Sequence, residues 1–310
     1  MRFWEEDDAT HENAAARTRF APSPTGDLHL GGALCALASR AVARHGGGAF
    51  VLRVEDLDPP RVVAGAAERI QDDLRWLGLT WDEGPAFQSA RTALYERAVE
   101  SLMHQSRTYP CDCSRAEIAR VASAPHEGED VVYPGTCRDK DPARPMRRPP
   151  ALRIRLPDER VALDDGCQGH FEQRLSDVGD FVLRRADGVF AYQLAVAVDD
   201  LAMRIGCVVR GADLLASTPR QLFLMRCFGA REAELPRYVH LPLARGEDGA
   251  RLSKRTPGGR VRALRDAGIE PGEILDVLSR ALGLGADGTP PREWPREALA
   301  VPEEWGRAGT

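Results

Sequence analysis

The chain predicts an α/β protein: a doubly wound parallel sheet, interrupted by an inserted α+β domain and followed by a short helical C-terminal piece. Three observations carry this reading. Between residues 17 and 105, apolar strand-like runs alternate with helical periodicities. Between 108 and 187, cysteines, prolines and glycines become frequent and short strands replace helices. From 188 the alternation resumes. A β-α-β-α order implies parallel strands joined by crossover helices.

Residues 1–16 are acidic and lack an apolar h-region, so they are expected to be a disordered extension rather than a secretory signal. The first half of the core spans 17–107. Arg17 to Pro22 reads as a buried strand, and Ala33 to Arg44 as a helix stopped by Gly46-Gly47-Gly48. Ala49 to Val54 is a second apolar strand ending in Glu55-Asp56-Leu57-Asp58. Helical patterns follow at Arg61 to Leu77 and Ala90 to Gln105. Ligands bind at the carboxyl ends of strands in such sheets, so residues 20–29 and 55–58 are expected to face one crevice.

The insertion spans 108–187, with short strands at Leu152 to Leu156 and Phe181 to Arg184. In the second half of the core, 188–245, Ala191 to Arg204 is an apolar helical stretch and Cys207 to Arg210 a short strand. Thr218-Pro219-Arg220-Gln221 opens a helix with Thr218 as its expected N-cap. Tyr238 to Leu243 reads as a last strand. Residues 246–310 hold a basic loop, two helical pieces (Val261 to Ala267 and Pro271 to Leu282) and a Pro-rich tail expected to be loose. Gly283-Leu284-Gly285-Ala286-Asp287-Gly288 matches G-x-G-x-x-G, but no strand precedes it and two prolines follow, so it reads as a helix stop.

With 310 residues, 43% hydrophobic and 29% charged, the composition is that of a globular protein able to bury a sizeable core. No apolar run approaches the ~20 residues of a membrane span, and a cytoplasmic monomer is expected. A net charge of −5 is not that of a bulk nucleic-acid binder. The 138–155 stretch is locally basic, however, with Arg138, Lys140, Arg144, Arg147, Arg148, Arg153 and Arg155 offset there only by Asp139 and Asp141. That stretch reads either as a solvated Pro-rich linker or as a phosphate-binding patch. Seven cysteines, an odd number, favour reduced thiols or metal over a disulfide framework. Cys111, Cys113 and Cys137 have the spacing of three metal ligands. The fourth is open from spacing alone, and His126 is the ordinary choice. Cys35, Cys167, Cys207 and Cys227 read as small buried apolar residues.

Two segments point to chemistry. Arg19-Phe20-Ala21-Pro22-Ser23-Pro24-Thr25-Gly26-Asp27-Leu28-His29-Leu30-Gly31-Gly32 turns from a strand into a helix start, a natural seat for phosphate. Arg251-Leu252-Ser253-Lys254-Arg255 places a lysine in a basic loop. The chain has 42 Lys plus Arg, yet Lys140 and Lys254 are its only lysines. Lys254 is therefore a candidate for work that needs a compact, flexible ammonium.

Together these segments resemble the HIGH and KMSKS signatures of class I aminoacyl-tRNA synthetases, here His29-Leu30-Gly31-Gly32 and Arg251-Leu252-Ser253-Lys254-Arg255. Arg53-Val54-Glu55-Asp56-Leu57-Asp58, Tyr192-Gln193-Leu194-Ala195 and Val209-Arg210-Gly211-Ala212-Asp213-Leu214-Leu215 extend the resemblance to the glutamyl branch, over roughly residues 17–260. It implies a Rossmann-like catalytic core that uses ATP with Mg²⁺ and takes L-glutamate. It implies a glutamate pocket of Arg19, Ala21, Ser23, Glu55, Tyr192 and Arg210, in which two guanidiniums match two carboxylates and one carboxylate matches the ammonium. It assigns ATP to Pro22, His29, Gly31, Gly32, Ser253 and Lys254, with His29 and Lys254 as catalytic residues. It also implies a structural Zn²⁺ in the insertion, with Tyr133 of Tyr133-Pro134-Gly135-Thr136-Cys137 as fourth ligand and His126 in reserve. Gly32 replaces the second histidine of the first signature. Arg251 and Leu252 replace the first lysine and the methionine of the second. Positions 261–310 comprise only 50 residues, too few for a large helical anticodon-binding domain. A short core of this kind resembles the glutamyl-queuosine tRNA(Asp) synthetases, which implies the tRNA(Asp) anticodon stem-loop as partner, gripped by the 138–155 patch and the insertion. A glutamyl-tRNA synthetase charging a tRNA 3′ end and a non-catalytic zinc RNA-binding paralogue are the alternatives.

Overall fold

A strand at the centre of a parallel sheet must bury both faces, and β1 (Thr18–Phe20) does. The computed structural model describes residues 14–121, 132–243, 259–300, 302 and 305. After β1 come α1 (Leu30–His45), β2 (Phe50–Val54), α2 (Ala66–Trp76), β3 (Glu83–Phe87) and α3 (Thr92–His104). The chain then leaves the sheet through β4 (Thr108–Cys111), α4 (Arg115–Val121), β5 (Ala151–Ile154), β6 (Arg160–Asp165), β7 (Gly169–Arg174), α5 (Leu175–Val178) and β8 (Val182–Arg184). It returns with α6 (Tyr192–Ala202), β9 (Cys207–Gly211), α7 (Thr218–Cys227) and β10 (Arg237–Leu241). The helices α8 (Val261–Asp266) and α9 (Pro271–Leu282) close the series.

The main sheet has the order β10-β9-β1-β2-β3 and every pairing in it is parallel. Alternate residues of a strand point to opposite faces. Phe50 and Leu52 accordingly join α1, α2, α8 and α9 in one apolar cluster, while Val51 joins α3, α6 and α7 in the other. The sheet is therefore covered on both faces. Strand order reverses at β1, whose neighbours are β2 and β9, and a crevice opens at such a switch point. The inserted segment forms an antiparallel three-stranded sheet, β4-β5-β8, and a β6–β7 hairpin.

Several expectations need correction. The helix expected from Arg61 begins at Ala66, because Gly65 takes a left-handed φ of 71° and Pro59–Arg61 forms a separate 3₁₀ turn. The strand β3 is unanticipated. Its Gly-Pro sequence argues against a central strand, and it lies at the sheet edge, where proline is tolerated. Ser217, not Thr218, is the N-cap of α7, and its side chain makes no cap bond. The Thr218 hydroxyl is used instead by Arg210. The tail is not loose: Trp294, Leu299 and Trp305 are buried in the first cluster, and Trp294 lies by Gly166 and Cys167 of the β6–β7 turn. Residues 1–13 of the expected N-terminal extension lie outside the described residues, but Ala14–Ala16 form a 3₁₀ turn with Ala16 buried. Gly283 does stop α9, in the left-handed conformation. No helix of the described residues is long and apolar enough to cross a membrane.

Helix α8, which follows the lysine segment in sequence, is fastened to α2 by charge. Arg262 lies 2.7 Å from Asp72 and 2.9 Å from Asp73, and Arg265 lies 3.0 Å from Asp72. Burial pushes the Asp73 carboxyl up to about 6 despite Arg262. The folded state thus holds a proton that the unfolded chain has lost, and stability falls as pH rises from about 4 to 6. Asp73→Asn removes this titration and leaves Arg262 its contact with Asp72. The variant is expected to gain about 3 kcal/mol at pH 7, with the gain vanishing near pH 4. Thermal melts of both proteins across that range check this.

Candidate active site

At the switch point a cavity of about 360 Å³ opens at the carboxyl ends of β1, β2 and β9. The strands themselves deliver its charged groups. Arg19 is the middle residue of β1, Glu55 follows β2 directly, and Arg210 is the fourth residue of β9. Tyr192 opens α6. All four line the cavity, as do Ala21, Pro22 and Ser23 after β1. The backbone of this loop is tied to the next strand, since Glu55 N–H donates to the Pro22 carbonyl at 3.0 Å.

Two arginines, Arg53 and Arg19, meet three acids at this wall. Arg53 is fully buried; Nη1 donates to Asp200 at 2.6 Å and Nη2 to Glu55 at 3.1 Å. Arg19 Nε reaches the same Asp200 oxygen at 3.3 Å and its Nη1 donates to the Val209 carbonyl at 3.3 Å, so neither contact uses Nη2. Burial would lower the Arg53 pKa, but Asp200, Asp199 and Glu55 raise it over that penalty. Burial raises the Glu55 carboxyl, opposed by Arg53 and Arg19. Burial likewise opposes ionisation of Asp200, yet Arg53 and Arg19 hold it below the usual carboxylate range. Arg53 is thus held by Asp200, Asp199 and Glu55 and does not line the cavity, whereas Arg19 and Arg210 do. Arg210 Nη1 lies 3.5 Å from the Tyr192 hydroxyl.

His29 is the N-cap of α1, and its Nδ1 accepts the Gly32 N–H at 3.0 Å. In the neutral ring this puts the proton on Nε2, a donor for an anion. The cap also narrows the expected phosphate seat: the Gly32 donor is taken by His29, and the Leu30 N–H is taken by the Gly259 carbonyl at 2.9 Å. His29, Gly31 and Gly32 all line the cavity. A Cβ at Gly32 would meet Leu28 Cδ1 at 3.0 Å, so a bulkier residue there presses on the cavity wall.

Ser253 and Lys254 lie outside the described residues, but both flanks of their segment are fixed at the cavity. Pro242 and Leu243, on the N-terminal side, line it. On the other side, His29 bridges Arg260 and the Val261 N–H donates to the Leu28 carbonyl at 2.9 Å. The first signature is therefore joined through its backbone to residues 259–261, which follow the lysine segment in sequence.

A family model described as the catalytic domain of class I tRNA synthetases (E and Q) matches residues 15–288. The chain belongs to this family. The synthetase is 46% identical over 289 residues to a glutamyl-Q tRNA(Asp) synthetase of Nitratidesulfovibrio vulgaris, covering 88% of both chains. It is 48% identical over 267 residues to a protein of the same name from Geobacter sulfurreducens, covering 86% of this chain and 83% of that one. Among solved structures it resembles a glutamate tRNA ligase of Elizabethkingia meningosepticum in complex with its amino acid, with TM-score 0.79 and 26% identity over 94% of this chain and 68% of the other. The parallel-sheet α/β core is that of the class I synthetases.

The insertion of this synthetase carries a second cluster. The Sγ atoms of Cys111, Cys113 and Cys137 lie within 4.8 Å of one another, with Cys113 and Cys137 at 3.6 Å. Sulfurs bound tetrahedrally at ~2.3 Å stand about 3.8 Å apart. The Tyr133 hydroxyl is 3.3 Å from Cys111 and 3.9 Å from Cys113, and accepts the Cys137 N–H at 2.8 Å. His126 lies outside the described residues. Of the other cysteines, Cys167 and Cys207 are buried, but Cys35 and Cys227 are only partly so, and Cys35 lines the main cavity.

The basic stretch is largely spent on internal pairing. Arg144 and Arg147 hold Asp112, Arg147 and Arg148 hold Glu117, and Arg138 holds Asp180. Arg153 lies over the Tyr133 ring at 3.8 Å. A count along 138–155 misses this because the acids come from distant positions. Asp199, Asp200 and His240 also went unremarked in the sequence. The signal for the two acids was present: a pair of aspartates inside an apolar helical stretch is costly unless paired.

Proposed function

We propose that the synthetase activates L-glutamate with ATP and transfers it to queuosine at the wobble position of tRNA(Asp). The observation that carries this is the single cavity in which Arg19, Glu55, Tyr192 and Arg210 stand beside His29 and between the flanks of the Lys254 segment. A glutamate α-carboxylate oxygen attacks the α-phosphorus of ATP. The bond to the bridging oxygen breaks, and pyrophosphate leaves with the electron pair. The attacking group is already ionised, so the step needs alignment and positive charge rather than a base. Arg19 and Arg210 take the two carboxylates and Glu55 the ammonium, with Ala21, Ser23 and Tyr192 shaping the pocket. His29 and Lys254 hold the phosphates, together with Pro22, Gly31, Gly32 and Ser253; Mg²⁺ accompanying ATP supplies further charge neutralisation. A hydroxyl of the queuosine cyclopentenediol then attacks the glutamyl carbonyl. The mixed-anhydride bond breaks, AMP departs, and the hydroxyl proton passes to water.

Pyrophosphate exchange with each of the twenty amino acids tests the first step, and labelled glutamate offered to tRNA with and without queuosine tests the second. Exchange confined to glutamate and transfer only to queuosine-bearing tRNA(Asp) support the reading. Charging of tRNA(Glu) makes the protein a 3′-end synthetase, and no exchange makes it a non-catalytic RNA binder.

In the insertion, Cys111, Cys113, Tyr133 and Cys137 would hold Zn²⁺ as a closed structural site. Cys137→Ser is expected to drop bound zinc from about one per chain to less than a fifth of that, by metal analysis of the purified protein. Unchanged zinc would move the site elsewhere.

A further inference from the structure

Arg210 lies on a hydrogen-bonded chain that begins in the insertion. Its Nε donates to His240 Nε2 at 3.0 Å, and its Nη2 donates to the Thr218 hydroxyl at 2.8 Å, which stands 3.2 Å from the same imidazole nitrogen. His240 has no solvent exposure, and its Nδ1 stands 2.6 Å from Asp165 Oδ2. An arginine has no acceptor, so Nε2 must be the unprotonated nitrogen and Nδ1 must carry the proton donated to Asp165. Asp165 is itself pinned at the end of β6. Its Oδ1 accepts the backbone N–H groups of Cys167, Gln168 and His240 at 3.0, 2.8 and 3.1 Å.

We infer that His240 and Asp165 are positioning residues that aim the Arg210 guanidinium into the cavity through a fixed imidazole tautomer. The inference rests on the reading of Arg210 as a ligand of a glutamate carboxylate. Its physical logic is visible beside Arg53. Carboxylates placed directly on a guanidinium neutralise it, as Asp200 at 2.6 Å and Glu55 at 3.1 Å do for Arg53, while Arg19 shares Asp200 only through Nε at 3.3 Å. An intervening neutral imidazole fixes Arg210 in direction without supplying that charge, so the cation remains for a substrate anion. The β6–β7 hairpin, formally part of the insertion, thereby helps to build the amino-acid pocket.

Asp165→Asn is the decisive variant because it conserves shape. The three backbone donors keep an oxygen at the Oδ1 position, so the new amide NH₂ faces His240 Nδ1. The imidazole proton is then driven to Nε2, where it opposes the Arg210 Nε–H. The expected result is a rise of about tenfold or more in the KM for glutamate in pyrophosphate exchange, with the KM for ATP within twofold. His240→Gln keeps an acceptor towards Arg210 and is expected to raise the glutamate KM less than Asp165→Asn does, whereas His240→Ala removes that acceptor and is expected to raise it about as much. Arg210→Ala separates the two levels of argument. If it leaves the glutamate KM unchanged, the pocket assignment itself fails. If Arg210→Ala raises the KM and Asp165→Asn does not, only the positioning role fails. Should Asp165→Asn instead raise both KM values together with a fall in Tm, Asp165 is structural and the inference is overturned. Should Asp165→Asn not fold, His240→Ala takes its place, and a folded His240→Ala protein with a glutamate KM within twofold of wild type overturns the inference.

Discussion

Lys254→Ala is expected to lower kcat for glutamate-dependent pyrophosphate exchange by about 10²–10³-fold while Tm and the glutamate KM stay at wild-type values. The argument joins composition to topology. The chain uses arginine almost everywhere a cation serves, yet keeps a lysine here. Both flanks of its segment are held at the cavity: Leu243 in its wall, and Arg260 bridged to His29. A short, mobile ammonium suits charge that builds on a departing pyrophosphate. A planar guanidinium is a different shape, so Lys254→Arg should recover only a small part of the loss. Exchange at the wild-type rate in Lys254→Ala would remove the lysine from the chemistry.

The largest loss of stability is expected at a residue that does not itself line the cavity. Asp200 has a side chain with no solvent exposure and is shared by two buried arginines. Asp200→Ala leaves Arg53 with Glu55 at 3.1 Å and a more distant Asp199 at 3.8 Å. Removing one member of a buried ion pair costs about 3–5 kcal/mol, because the surviving charge stays desolvated. The expected Tm is lower by about 10 °C. Asp200→Asn keeps an acceptor and loses only charge, so it should fall between the two. Melting curves decide this, and a variant as stable as wild type would show that the arginines find other partners. Since Arg19 also leans on Asp200, a folded Asp200→Asn protein is expected to bind glutamate more weakly.

The parallel core was readable in the sequence from local apolar periodicity, and the residues that line the cavity were named there through the resemblance of short motifs to a family. Apolar runs marked β1, β2 and β9, and short signatures at their carboxyl ends marked Arg19, Glu55 and Arg210. What was not readable depends on pairing across long separations. The acids that neutralise Arg138, Arg144 and Arg147 stand at 112, 117 and 180, so a local charge count made a free patch of a braced one. Thr218 looked like a helix cap because its neighbours are cap-like; its hydroxyl was claimed instead by an arginine from the adjacent strand. The tail looked loose because its prolines hide any period in Trp294, Leu299 and Trp305, which are buried in the first apolar cluster with residues distant in sequence. His240 gives no local signal, since its meaning arises only when β10 lies beside β9 and below the hairpin that carries Asp165.

The position of β1 between β2 and β9 dictates when during synthesis this pocket can exist. Thr18 pairs with Cys207, so the first strand made waits for nearly two hundred residues before its second neighbour is available. Contacts this distant are slow to form, and the half-sheet of β1, β2 and β3 meanwhile presents an unpaired edge. A ribosome-bound chain should therefore gain protection by glutamate against a protease only once Leu241 has cleared the exit tunnel.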